Sequence, residues 1–167
     1  MIIDLQKSAD DIRLEAAVCI VGAGAAGVAL ARDLMNAGHD VCLLEGGGLD
    51  YEDRTQSLFE GENIGMEYYD LDHSRLRFFG GTTNIWGGRS VPLDAIDFEK
   101  RDWVPHSGWP ITLEDLQPYY RIAHDSLELG EYDYETGNWQ KLKLNPIDFD
   151  PAKIIHRFWR FDDFEER

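Results

Sequence analysis

The sequence has 167 residues, of which 43% are hydrophobic, so it is long and apolar enough to form one ordinary packed domain. Its 32 acidic and 16 basic residues give a formal net charge of −16, which argues against nucleic acid or an anionic membrane as a partner. The sequence contains neither an apolar stretch of about 18 residues nor a signal-peptide pattern, so it predicts a cytoplasmic protein without a transmembrane segment.

The first elements predict a β–α–β unit. After a polar lead-in over 1–15, the apolar run over 16–21 predicts a strand of a parallel sheet that is covered on both faces. A glycine-rich turn and a helix over about 25–37 follow, and a second strand extends over 41–45. We expect the two strands to be adjacent and parallel, joined by a right-handed crossover. Cys19 and Cys42 lie within these strands and are expected to be buried, because no metal or disulfide spacing is present.

The turn between the first strand and the helix has the spacing of a dinucleotide-binding fingerprint. In the pattern G-x-G-x-x-G, Gly22 allows the tight turn, Gly24 lets the backbone approach a pyrophosphate, and Gly27 lets the helix pack on the strand. Ala26 belongs to the same predicted segment at the helix N-terminus, where N–H groups favour a phosphate. Glu45 ends the second strand and can accept hydrogen bonds from a ribose diol, so FAD or NAD is favoured over NADP. The alternative is a glycine-rich turn that binds nothing.

Beyond Glu45 the pattern is weaker. Residues 49–79 alternate acidic and aromatic side chains without a clear period, and 90–111 is predicted to be an ordered loop. A helix is expected over 112–129, with Thr112 and Asp115 as a capping pair and Pro118 either kinking the helix or dividing it into two. Residues 130–150 are predicted to be loop, and the partly alternating segment 153–161 could form one strand.

A second glycine-rich element, GGTTNIWGGR, covers residues 80–89. Its glycines permit close backbone approach, its hydroxyl and amide groups could reach a pyrophosphate or the polar edge of a flavin, and its indole could lie beside an aromatic ring. The alternative is a structural loop packed by a core tryptophan. The predicted cofactor contacts of this element are Gly81, Thr82, Thr83, Asn84, Trp86 and Gly87.

Together the two glycine-rich motifs resemble the glucose–methanol–choline oxidoreductases, which bind FAD in a Rossmann-type domain. The strings DFEKRDWVPHSGWPI and LQPYY make the resemblance strongest to the bacterial sugar and polyol dehydrogenase branch, near pyranose oxidase. The resemblance covers the chain from about residue 15 onward. It implies removal of two hydrogens from a CH–OH group of a sugar, polyol or alcohol, with hydride passing to the flavin. It also implies non-covalent FAD, because Ile85 stands where pyranose oxidase has its flavin-linked histidine.

The expected organisation is an α/β fold: the lead-in over 1–15, an FAD-binding region over 16–111 with an incomplete sheet, and a helical start of a substrate domain over 112–167. The resemblance implies a longer protein whose catalytic histidine follows residue 167, so no catalytic or metal-binding residue is assigned here. His106 lies nearest in sequence to the predicted flavin region and is interpreted as a loop histidine. Two alternatives remain: a non-catalytic remnant that binds nucleotide weakly, and an NAD-dependent dehydrogenase, which the excursion after Glu45 disfavours.

Overall fold

The computed structural model describes residues 1–8, 11–134, 138–150 and 152–161. The chain divides into two compact units, Met1–Trp86 and Gly87–Arg167. The three-part division predicted from the sequence stays a prediction, and parts of its first and last segments (9–10, 135–137, 151 and 162–167) lie outside the described residues. Within the described ranges, no helix is both long and apolar enough to cross a lipid bilayer.

The first unit is built on the β–α–β start. Strand β1 (Val18–Val21) leads through the glycine-rich turn into helix α1 (Ala25–Asn36), and strand β2 (Val41–Leu44) follows. The strands pair in parallel, with residues 18 and 41 opposite each other at one end and residues 21 and 44 at the other. The predicted α/β class, with two adjacent parallel strands and a partial sheet, is therefore confirmed.

The sheet is less covered than the sequence suggested. Along β1, Ile20 is buried, whereas Cys19 is exposed and Val21 is 83% exposed. Cys42 in β2 is only partly buried. This alternation means that α1 covers one face of the sheet and that no second layer covers the other face within the described residues. The prediction of two buried cysteines in a sheet covered on both faces was therefore wrong.

The excursion after β2 consists of short helical turns that side chains tie together. Gln56 is almost fully buried, and its Nε2 donates to the carbonyls of Asp72 at 2.5 Å and Arg75 at 2.6 Å. Its Oε1 accepts a hydrogen bond from the backbone N–H of Arg77 at 3.0 Å. One amide side chain thus orders a segment that has no sequence period. The elements of this excursion are α2 (Asp53–Gln56), a 3₁₀ turn (Ser57–Phe59), α3 (Leu71–Ser74) and a second 3₁₀ turn (Gly81–Asn84).

The second unit contains α4 (Ala95–Phe98), α5 (Leu113–Ser126) and α6 (Asn138–Lys141). The predicted cap of α5 is confirmed, because Thr112 Oγ1 accepts from the Asp115 N–H at 3.3 Å and Asp115 Oδ2 accepts from the Thr112 N–H at 2.9 Å. Pro118 lies inside this single helix, so a division into two helices was wrong. Proline removes one N–H donor, and the capped helix continues past it.

The described residues 153–161 do not form the strand that the sequence predicted. Among the described residues 153–161, only Arg160 forms a β-bridge, and its partner is Ser90. The backbone N–H of Arg160 donates to the Ser90 carbonyl at 2.9 Å, and the Arg160 carbonyl accepts from the Ser90 N–H at 2.8 Å. The guanidinium of Arg160 donates to the carbonyl of Asp133 at 2.6 and 3.1 Å. An alternating pattern gives a strand only where a partner strand pairs along its length, and here the partner contributes one residue.

Candidate cofactor-binding site

Two glycines fix the turn between β1 and α1. Gly22 has φ +100°, which side-chain-bearing residues rarely adopt, and its N–H extends the parallel pairing by donating to the Leu44 carbonyl at 2.7 Å. A Cβ placed on Gly27 would lie 1.9 Å from the Gly22 carbonyl oxygen. The helix therefore approaches the end of the strand at a distance that only glycine permits.

The N-terminus of α1 faces open space at Gly24. Gly24 is the N-cap, and the first turn of the helix has no side-chain cap hydrogen bond among the described residues. A Cβ on Gly24 would meet no atom within 4 Å. The first N–H groups of α1, including those of Ala25 and Ala26, have no partner within the helix, and the helix dipole adds positive potential there. This geometry fits a phosphate group.

The second glycine-rich element lies against the first. Gly80 donates its N–H to the carbonyl of Ala23 at 2.8 Å, and Gly80 and Gly24 form a parallel bridge. A Cβ on Gly81 would lie 3.4 Å from the Cα of Gly24. The structure thus brings together two motifs that are separated by more than fifty residues of sequence.

A cleft of about 570 Å³ opens where the two motifs meet. Thr82 and Thr83 contribute the polar side chains of its lining, and no ionisable side chain is found among the described residues that line it. The lining of the cleft therefore offers hydroxyl and backbone groups but no acid–base group. The lining residues are Ile20, Val21, Gly22, Gly24, Ala25, Ala26, Gly27, Leu30, Gly80, Thr82 and Thr83.

Several polar groups of the second motif hold their own loop. Thr83 Oγ1 donates to the Gly80 carbonyl, and Thr82 Oγ1 accepts from the Leu76 N–H at 3.2 Å. Asn84 Nδ2 donates to the carbonyls of Phe79 at 3.0 Å and Gly81 at 2.9 Å.

Four predicted contacts of this motif are not part of the cleft lining, namely Gly81, Asn84, Trp86 and Gly87. Asn84 and Trp86 lie outside it, and Trp86 is partly exposed, while Gly87 begins the second unit. Their contact with the cofactor stays a prediction.

Glu45 is held by the same turn. Its Oε2 accepts the N–H of Ala23 at 2.7 Å, and its Oε1 accepts the N–H groups of Gly46 at 2.8 Å and Gly47 at 3.0 Å. Partial burial raises the pKa of this carboxyl group, but the three N–H donors and the positive charge of Arg77 outweigh burial and lower the pKa below its ordinary value. Glu45 is therefore ionised at neutral pH and remains a hydrogen-bond acceptor.

Comparison with known proteins decides the family. Residues 17–145 match the family described as FAD dependent oxidoreductase (DAO). This range includes Glu45 and both glycine-rich motifs. The chain belongs to the FAD dependent oxidoreductase family. This family depends on FAD, so the cofactor expected from the glycine-rich turn and Glu45 is confirmed at the level of the family.

A curated protein is similar to part of this chain. The protein named 6'''-hydroxyparomomycin C oxidase, from Streptomyces lividus, is 35% identical to the chain over 125 residues. The aligned region covers 66% of the chain and 22% of that relative, so the chain corresponds to less than a quarter of the relative's length. No solved structure matches the chain.

The assignment to the glucose–methanol–choline oxidoreductases was wrong, because the matched family is the FAD dependent oxidoreductase (DAO) family. The glycine-rich turn and the carboxylate after β2 provide contacts that bind a dinucleotide, and different families of FAD enzymes use the same contacts. Such motifs therefore predict the cofactor better than they predict the family.

Sequence reasoning missed three residues that shape the site. Gly80 contacts the first motif, and its position as the first glycine of the second motif could have indicated this. Gln56 and Arg77 order the segment beside Glu45, but they lie in the excursion without a sequence period. Their roles depend on how residues 49–79 fold, and no local pattern predicts that.

Proposed function

We propose that this chain forms the FAD-binding part of an enzyme that oxidises a hydroxyl group of an amino sugar. The observation that carries the proposal is the open N-terminus of α1 at Gly24 beside the ionised carboxylate of Glu45, which accepts the N–H of Ala23 in the same turn. A positive helix end and a carboxylate at this spacing match the pyrophosphate and the adenosine ribose of a dinucleotide.

The cleft and the carboxylate of Glu45, which is not among the residues that line the cleft, have distinct roles in this proposal. The N–H groups of Ala25 and Ala26 would bind the pyrophosphate, and Gly24 leaves room for it. Glu45 would accept hydrogen bonds from the ribose hydroxyls. Thr82 and Thr83 would provide further hydroxyl contacts, since both line the cleft.

The cofactor would be non-covalently bound. Segment 80–89, which contributes to the cleft, contains no cysteine, histidine or tyrosine that could attach to a flavin, and Ile85 carries no nucleophile. Bound FAD supplies the two-electron oxidation that converts a CH–OH group to a carbonyl. The chain's own contribution is to bind and orient the cofactor.

The substrate class is inferred from two observations. The relative is named as an oxidase of 6'''-hydroxyparomomycin C, a hydroxyl-bearing molecule by its name. The chain has a net charge of −16, which attracts cationic molecules such as protonated amino sugars and repels phosphorylated ones. An amino sugar is consistent with both observations. It is a narrower substrate class than the sugars, polyols and alcohols that the sequence predicted.

A second candidate is a protein that binds the cofactor without turnover. The alignment with only 22% of the oxidase relative favours it, since oxidation of an alcohol requires a group that takes the hydroxyl proton, and neither glycine-rich motif contains one. This candidate shares the cofactor site and differs only in activity, so a binding experiment tests the site for both.

The test of the cofactor site is a titration of the purified chain with FAD and, separately, with NAD. We expect FAD to bind more tightly than NAD, and all flavin to be released by acid precipitation. The change Glu45→Gln removes a charged acceptor of hydrogen bonds worth about 1.5–3 kcal/mol, so FAD affinity should fall by roughly 10- to 100-fold.

The exposed residue Glu62 offers a matched control, since Glu62→Gln removes the same charge elsewhere on the surface. Equal affinities for the Glu45 and Glu62 variants would refute the ribose role. Flavin that stays with the precipitated protein would refute non-covalent binding.

A further inference from the structure

Arg77 packs against the turn that follows Glu45. A Cβ on Gly46 would lie 2.7 Å from Arg77 Nη2 and 3.0 Å from its Nε, and a Cβ on Gly47 would lie 1.9 Å from the Arg77 carbonyl oxygen. Both glycines therefore leave space that Arg77 fills. The N–H groups of these two glycines hold Oε1 of Glu45, so Arg77 supports the donors of that carboxylate.

Arg77 is itself fixed from the opposite side. Its N–H donates to Oε1 of the buried Gln56 at 3.0 Å, and its guanidinium carbon lies 5.3 Å from the centre of the Phe59 ring. Its Nε is buried and has no hydrogen-bond partner in the described part of the chain. The side chain is thus ordered by packing and by a cation–π contact.

We propose that Arg77 is a positioning residue for the cofactor, which holds the turn at Gly46 and Gly47 and the carboxylate of Glu45 in the arrangement that receives the adenosine ribose. The proposal rests on the function proposed above and names a residue through which the same site is tuned. Arg77 acts through Glu45 and need not touch the cofactor.

The charges around Glu45 predict how binding depends on pH. Backbone N–H groups face the carboxylate from the β1–α1 turn and from the turn after β2, and Arg77 provides the positive charge. The carboxylate of Glu52 lies beside Gly48, with Oε1 2.9 Å from the place of a Cβ on that glycine.

Burial raises the pKa of Glu45, and the N–H groups and Arg77 lower it to a net value below the ordinary one. Ribose binding by the ionised carboxylate is therefore present at neutral pH and is lost as the pH falls through this lowered pKa. Removal of the positive charge of Arg77 should move that loss to higher pH.

The experiment measures the FAD affinity of the chain by calorimetric titration from about pH 7 down to about pH 3, a range that extends well below the ordinary pKa of a glutamate. Arg77→Gln removes the charge and the fork of donors, and Arg77→Lys keeps the charge. Arg75→Gln is the matched control, because Arg75 lies two residues away with an exposed side chain. Circular dichroism confirms the folding of each variant.

We expect Arg77→Gln to bind FAD about tenfold more weakly at pH 7, because the turn whose N–H groups hold Glu45 loses its support, and to lose binding at a higher pH than the unmodified chain. Arg77→Lys should also bind more weakly but should keep the original pH dependence, and Arg75→Gln should match the unmodified chain.

Each other outcome overturns the proposal in a recognisable way. An unmodified chain that does not bind FAD refutes the proposed function and, with it, the role of Arg77. Binding by the unmodified chain, with unchanged affinity and pH dependence in Arg77→Gln, refutes the role of Arg77 alone. A loss that is equal at every pH, or a failure of both Arg77 variants to fold, makes Arg77 a structural residue.

Discussion

At the scale of single residues, the glycines of the β1–α1 turn have different physical roles. Gly27 is needed for folding, because a Cβ there would overlap the Gly22 carbonyl at 1.9 Å. Gly24 is not needed for folding in this sense, since its φ of −77° suits any residue and its missing Cβ faces open space. The open space beside Gly24 is available to the pyrophosphate of the proposed dinucleotide.

This difference predicts opposite effects for two alanine substitutions. Gly27→Ala should destabilise the chain by about 1–3 kcal/mol, because an added methyl group has no room against a backbone carbonyl. Gly24→Ala should change stability by less than about 0.5 kcal/mol but should weaken FAD binding, because its methyl group would meet the pyrophosphate. Urea denaturation and FAD titration of both variants check this. A stable Gly27 variant, or full FAD affinity in the Gly24 variant, would contradict the assignment of roles.

The residues whose backbone geometry follows from the sequence are those whose surroundings are local, and their contacts with the cofactor stay predictions. The positions of Gly22, Gly24, Gly27 and Glu45 follow from a strand, a turn and a helix that are contiguous in the chain, so spacing alone predicts their geometry. Arg77 could not be predicted, because it reaches the turn after Glu45 only through the folded excursion between them. Contacts that depend on such a segment leave no periodic signal in the sequence.

At the scale of elements, the predictions are correct where an element depends on local contacts and wrong where it depends on a distant partner. Helix α1 (Ala25–Asn36) and strand β2 (Val41–Leu44) lie where periodicity placed them, and the cap of α5 at Thr112 is confirmed. The segment 153–161 alternates as a strand does, but within the described residues only Arg160 is paired. A strand depends on its neighbour for hydrogen bonds, whereas a helix finds them in its own sequence.

The excursion after β2 depends on the side chain of Gln56, and this gives a second prediction. Gln56→Ala removes the partners of two carbonyls and of the Arg77 N–H, and each buried group left unpaired costs about 1–3 kcal/mol. We expect lower stability and faster hydrogen exchange over residues 71–80. Gln117→Ala, at an exposed position in α5, is the matched control. Equal exchange in both variants would show that Gln56 does not order this segment.

At the scale of the whole molecule, charge is the property that bears on function. The excess of 32 acidic over 16 basic residues produces a negative field that concentrates cations near the surface. Salt screens this field over about 10 Å at 0.1 M ionic strength, so any assistance to a cationic substrate should weaken as salt is added. Composition predicts this property directly from the sequence, because net charge does not depend on the fold.

The last prediction concerns catalysis by the 167-residue chain with FAD added. We expect no oxidation of amino sugars, sugars or polyols, because the cleft is assigned to the dinucleotide and neither glycine-rich motif supplies a side chain to take the hydroxyl proton. A general base is typically worth about 10²- to 10⁴-fold in rate, and the orientation of a substrate about 7–11 kcal/mol of barrier. Anaerobic reduction of bound FAD, followed by its absorbance, measures this directly, and free FAD is the control. Bleaching well above the rate of free FAD would reveal a catalytic group, and His106, which lies in a turn with φ +60°, would be the first position to change.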